Sequence, residues 1–160
     1  MQDKEESMKV NGNIDHIQAH YGIVFPQEYL DFIQLHGDAS FELMQGTEVE
    51  DWEIRFHVLD DQFIANNAAL VDEVNPDPRR VIPIAWSVSS GNNYLLDYRE
   101  NEETPSVLVM EHELAMVRED AESEAETDEE AQQLMEENVK QLAANFRSFA
   151  SLLQMRPSHI

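Results

Sequence analysis

Three short apolar runs between Val81 and Met110 constrain this fold more than any other part of the chain. They are Val81 to Ile84, Tyr94 to Asp97 and Val107 to Met110, joined by a loop over Ser87 to Asn93 and a turn over Arg99 to Pro105. Short apolar runs punctuated by turn residues predict an antiparallel meander. Upstream, Trp52, Ile54, Phe56 and Val58 alternate with Glu53, Arg55 and His57. That is the period-2 pattern of a half-buried strand, and it predicts that Trp52 packs in the core. A short strand over Ser40 to Met44 precedes it, and Asn75-Pro76-Asp77-Pro78 is a strong turn signal.

Helical spacing frames this β region. Asn13 is placed to cap a helix in which Ile14, Ile17 and Tyr21 share one face, with Gly22 as its stop. Pro26 opens a second helix through His36, carrying Tyr29, Phe32, Ile33 and His36 on one face and ending at Gly37. Asp60 or Asp61 caps a short helix through Phe63, Ile64 and Leu70. Near the end, Met135, Val139, Leu142, Phe146, Phe149 and Leu153 step by four and three residues. This spacing predicts one long amphipathic helix, closed by Pro157. The expected class is α+β: a central, largely antiparallel sheet flanked by helices near both ends. Residues 1–12 read as a polar lead and 13–156 as one domain, with 119–130 an acidic insertion before the C-terminal helix.

Charge narrows the function. The 160 residues hold 10 Lys+Arg against 33 Asp+Glu, a formal charge of -23, and no cysteine. Without cysteine there is no disulfide framework, thiol nucleophile or thiolate metal site. Such acidity opposes nucleic acid, whose affinity rests largely on Lys/Arg neutralising phosphates, and it opposes anionic membrane surfaces. A partner steered by this field is basic. The polar N-terminus lacks the apolar stretch of a signal peptide, so a soluble cytoplasmic protein is expected. Glu119 to Glu137 contributes 10 acids in 19 positions with no Lys or Arg. That stretch reads as a solvated or disordered insertion grading into a helix, with Thr127 and Glu130 as a capping box.

Catalytic signatures are absent. The five glycines, at 12, 22, 37, 46 and 91, permit no phosphate-cradling glycine loop. His16 and His20 have the i, i+4 spacing of a zinc-binding pair, but no Glu follows His16 and no third ligand stands out, so they read as surface imidazoles. Glu111-His112-Glu113 reads as a solvated strand end. Asp72, Asn75 and Asp77 miss the calcium-loop spacing and read as a turn. Asp97, inside an apolar run, either points to solvent or meets Arg79, Arg80 or Arg99. Trp86, beside the loop containing Gly91, is a candidate recognition aromatic.

Taken in order, these segments resemble the SUKH superfamily, which joins fungal cell-wall-assembly regulators and bacterial immunity proteins. Phe25-Pro26-Gln27-Glu28-Tyr29-Leu30-Asp31-Phe32-Ile33, closing on His36-Gly37-Asp38, resembles the family's Leu-Pro-x-x-Tyr-x-x-Phe-Leu helix and its Asn-Gly-Gly ending. Ile82-Pro83-Ile84-Ala85, then Gly91-Asn92-Asn93-Tyr94-Leu95-Leu96-Asp97, is similar to its strand, small loop and Tyr-x-x-Asp strand. Val107 with Val109, and Leu142 to Phe149, complete the series. The departures are Asp38 in place of the second glycine and the acidic insertion after Val117. The resemblance implies a non-enzymatic binding protein without cofactor or metal. It further implies an immunity protein that neutralises a nuclease-type polymorphic toxin, or alternatively a regulatory scaffold in cell-wall control. The candidate contacts with a basic toxin domain are Glu48, Glu50, Asp51, Asp60, Asp61, Trp86, Glu119, Asp120, Glu122, Glu124, Glu126 and Asp128.

Overall fold

A computed structural model describes residues 4–156. The elements, in chain order, are α1 (Lys4–Tyr21), α2 (Gln27–His36), β1 (Ser40–Gln45), β2 (Glu48–Phe56), α3 (Phe63–Leu70), β3 (Val81–Ser87), β4 (Asn93–Asp97), β5 (Ser106–Met110), α4 (Arg118–Glu124), α5 (Asp128–Glu136), β6 (Val139–Ala143), α6 (Phe146–Ser151) and β7 (Leu153–Met155). All seven strands form one sheet in the order β6-β5-β4-β3-β2-β1-β7, and every pairing is antiparallel. The α+β class and the β3-β4-β5 meander follow the sequence expectation.

The Gly22 stop and the Thr127 cap act as expected. Gly22, at φ 67°, ends α1, and the Ile23 N–H closes the turn on the Gln18 carbonyl at 3.0 Å. Gly46 takes φ 64° in the two-residue turn between β1 and β2. Thr127 accepts the Glu130 N–H at 3.1 Å, and the Glu130 carboxylate reaches back to the Glu126 N–H at 3.1 Å. Asp38 needs no glycine, because no non-glycine residue among those described has a positive φ.

One face of the sheet carries the main core. Tyr29 on α2 and Phe146 and Phe149 on α6 pack over Phe41, Phe56, Ile84, Tyr94 and Leu96 of the strands. The rings meet edge-on or tilted, with Phe32 at 5.1 Å from Phe56 and 5.5 Å from Phe146. Each such side chain contributes about 1.5–3 kcal/mol on burial, so this face dominates the stability. The opposite face is covered only over part of its width. There Val81, Leu95, Leu108 and Met110 pack under Val71, Val74 and Ala115.

Three expectations fail. The single long helix is instead the end of α5, then β6, α6 and β7. Asn138 breaks the run: its amide donates to the Val74 and Met116 carbonyls at 2.9 and 2.8 Å and accepts the Met116 N–H at 2.8 Å. Asn145 then starts α6 afresh by accepting the Ser148 N–H at 2.8 Å. Pro157, the expected stop, lies outside the described residues. The backbone is helical from Lys4, so Asn13 lies within α1 and caps nothing, and most of the polar lead is helix. Finally, α3 begins after Gln62, whose N–H bonds Asp60 at 3.0 Å; Asp60 shapes the preceding turn and is not the capping residue.

The acidic insertion is folded. Between α4 and α5, Ala121, Ala131 and Met135 form a small buried cluster, and the two small side chains let the helices approach closely. Arg99 bridges Asp97 (2.9 Å) and Glu136 (2.6 Å), tying α5 to β4. Arg118 and Gln132 both donate to the Pro76 carbonyl, at 3.1 and 2.8 Å. The hairpin is thereby anchored at both of its helices, to the turn at Pro76 and to the end of β4.

Candidate functional site

The pairing of β1 with β2 decides what the site presents. Phe41 faces Ile54 and Leu43 faces Asp51, so two steps on β1 match three on β2. The extra residue is a bulge, which keeps both Ile54 and Asp51 on the core side and turns Trp52 and Glu53 outward. Asp51 is only 4% exposed. Its carboxylate accepts from Ser87 Oγ and Tyr94 Oη, both at 2.6 Å, from Ser89 Oγ at 3.1 Å and from Ser90 Oγ at 3.2 Å. Among the described residues no cation pairs with it. Four hydroxyls offset the cost of burying the carboxylate, and in doing so they fasten the Ser87 to Asn93 loop to β2. Burial, followed by the bond to Asp51, pushes the Tyr94 hydroxyl above the ordinary phenol range, so it remains a donor.

Asp51 is therefore an interior loop anchor, which overturns its reading as a partner contact. Trp52 is corrected in the opposite sense: it is 60% exposed, because the bulge shifts the strand's phase. Val88 is also half exposed, and its N–H donates to the carbonyl of Glu53, the residue after Trp52, at 2.8 Å. Trp86, two residues earlier on β3, is partly buried and stacks on His57 at 4.9 Å between ring centroids. Burial pushes His57 down to about 4, and its Nε2 has no partner.

The remaining candidates fall on three separate elements. Glu48 and Glu50 are exposed at the turn end of the β1–β2 hairpin. Asp60 is partly buried and Asp61 exposed in the turn before α3. Glu119, Asp120, Glu122, Glu124, Glu126 and Asp128 are all exposed on α4, its connection and the start of α5. Glu122, Glu126 and Asp128 line a groove of about 330 Å³ between these helices. His16 and His20 are exposed on α1. Glu111 pairs with Lys140 at 3.1 Å, and Asn75 closes a turn by accepting the Asp77 N–H at 2.9 Å. Asp97 meets Arg99, one of its three anticipated donors. Sequence reasoning missed Trp52 as a surface group, because a bulge leaves no mark on the alternation.

The family model for the SMI1 / KNR4 family (SUKH-1) matches residues 11–151. The chain belongs to this family. Within it, the matched span of this SUKH-1 protein runs from α1 through α6 and includes the acidic hairpin. No curated protein and no solved structure matches the chain. Among the described residues, no helix is long and apolar enough to cross a membrane.

Proposed function

We propose that this SUKH-1 protein is a non-enzymatic, cytoplasmic binding module that neutralises a basic, nuclease-type toxin by occupying its cationic surface. The observation that carries this reading is the α4–α5 hairpin. Its six candidate acids, Glu119, Asp120, Glu122, Glu124, Glu126 and Asp128, are all exposed, and among the described residues none of the six is in an ion pair, while Arg99 and Arg118 hold the hairpin against the domain. A flexible acidic tail would lose entropy on docking; a pre-folded acidic hairpin loses less. Nuclease domains must bind phosphate and so present basic clefts, toward which a protein of charge -23 is steered.

The test is co-expression with a basic nuclease toxin encoded beside this gene, followed by measured association rates of the purified pair. Rescue of growth and fast, salt-sensitive association are the expected results. Replacing Glu119, Glu122, Glu124 and Glu126 by Gln slows association at about 50 mM salt by about tenfold and has much less effect at 300 mM, as steering requires. No rescue by the intact protein overturns the reading. It leaves the regulatory-scaffold alternative, which the same family membership accommodates.

A further inference from the structure

Neither helix of the acidic hairpin is built to stand alone. α4 has 7 residues and α5 has 9, and helices shorter than about 12–15 residues are marginal in water without tertiary support. α4 also sets like charges one turn apart, Glu119 with Glu122 and Asp120 with Glu124. Its last turn carries acids where the helix dipole favours bases. The apolar cluster that the two helices share is small. Ala121, Ala131 and Met135 are buried in it, and none of them belongs to either cluster packed on the sheet.

The hairpin is therefore held by its anchors, which are polar and lie in its lower half. Asn138, 5% exposed, joins the two ends: it accepts the Met116 N–H and donates to the Met116 carbonyl, both at 2.8 Å. The remaining anchors form one continuous chain. Arg99 forks onto Asp97 at 2.9 and 3.1 Å and donates to the two oxygens of Glu136 at 2.8 and 2.6 Å. Glu136 also accepts from Gln132 at 2.7 Å, and Gln132 shares the Pro76 carbonyl with Arg118. Among the described residues, no side chain from Glu119 to Ala131 bonds anything outside the hairpin.

We infer that the α4–α5 hairpin is an order–disorder device: it is folded while Arg99 grips Glu136, and it unfolds as one unit, with the sheet intact, when that grip is released. Arg99 is the latch because, among the described residues, it makes the only ion pair to the hairpin. Without it, Asp97 and Glu136 are two carboxylates that share no cation, and they repel. Repulsion from the rest of the molecule acts in the same direction. Glu119 to Glu137 holds 10 acids and no Lys or Arg, and the remainder carries 23 acids against 10 bases. Ordering and disordering of a segment is a recurrent form of switching, and whatever binds the folded hairpin shifts the balance toward it. The latch thus decides whether the exposed acids form one fixed surface or a loose loop. This balance is a property of the chain itself, whichever partner the hairpin meets.

Native-state amide hydrogen exchange of the whole protein tests this, residue by residue. In the unaltered protein, amides within α4 and α5 exchange at least about tenfold faster than those of β3, β4 and β5, because they open without the sheet. Arg99→Met speeds the hairpin amides by a further factor of about ten and leaves the three strands within about twofold, as loss of charged hydrogen bonds at one anchor requires. Glu136→Gln weakens the same contact from the hairpin side and gives the same pattern at about threefold, with the Asp97–Arg99 pair kept. Arg147→Met, which breaks an exposed ion pair with Glu28, leaves the hairpin unchanged. Strand protection in the same spectra reports that each variant is folded. Equal exchange of hairpin and strands in the unaltered protein overturns the proposal. So do latch variants that accelerate every amide alike, or that leave hairpin exchange unchanged. None of these results touches toxin neutralisation, which the growth rescue decides separately.

Discussion

Asp51 and His57 show how far single residues depart from what their types suggest. Asp51 looks like one more surface acid in Glu48-Val49-Glu50-Asp51, yet its partners Ser87 and Tyr94 lie 36 and 43 residues away. No local pattern announces such a cluster; only the sheet register creates it. Asp51→Ala strands two buried hydroxyls, those of Ser87 and Tyr94, and should cost about 2–4 kcal/mol in urea unfolding, against less than about 0.5 kcal/mol for Glu50→Gln. A loss below 0.5 kcal/mol for Asp51→Ala would show that water satisfies the hydroxyls. His57 supplies a pH dependence. Its native value is lowered to about 4 by burial, below the roughly 6.5 of an unfolded chain. Between those values the unfolded state binds the proton and the native state does not. Its contribution is therefore complete above about pH 6.5 and is lost as pH falls toward about 4, with a limiting slope of about 1.4 kcal/mol per pH unit. The stability difference between the protein and its His57→Phe variant should shift against the wild type from pH 7 to pH 5. A difference that stays constant over that range refutes the assignment.

Elements were legible where local chemistry and tertiary pairing agree. Gly22 and the Thr127 capping box each specify a boundary by their own backbone chemistry, and the β3-β4-β5 meander follows from turn residues between apolar runs. The segment from Met135 to Leu153 is the counterexample. Its four-three spacing is satisfied equally by buried Met135 near the end of α5, Val139 and Leu142 of β6 packed on opposite faces of the sheet, the i, i+3 pair Phe146 and Phe149 on α6, and Leu153 on β7. Periodicity alone does not separate these cases, because each apolar position finds an apolar cluster in either arrangement. What separates them is the pair of asparagines: Asn138 bonds the Val74 and Met116 backbone across the fold, and Asn145 takes the Ser148 N–H that a continuous helix would donate internally. The candidate site divides the same way. Its exposed acids could be read from composition, whereas its aromatic part required a bulge that alternation cannot reveal. Trp86 bridges the two: its place beside the loop suggests a recognition aromatic, yet it is partly buried and stacked on His57.

At the scale of the whole molecule, charge opposes the fold that displays it. Arg55, Arg80, Arg99, Lys140, Arg147 and Arg156 are each already paired with an acid, so the remaining excess of carboxylates has little left to neutralise it. Folding gathers a formal charge of -23 into one compact surface, and unfolding relaxes that repulsion. Screening reaches about 10 Å at 0.1 M salt and about 3 Å at 1 M, so added salt weakens repulsion between acids on different elements more than it weakens contact ion pairs. The melting temperature should therefore rise between about 0.05 and 0.5 M sodium chloride, by several degrees if about 1–2 kcal/mol of repulsion is screened. Replacing Glu119, Glu122, Glu124 and Glu126 by Gln should raise the melting temperature at low salt and flatten the salt dependence. A melting temperature that is flat or falls with salt would mean that the exposed ion pairs outweigh the repulsion. The acidity would then carry no stability penalty for a cationic partner to relieve on binding.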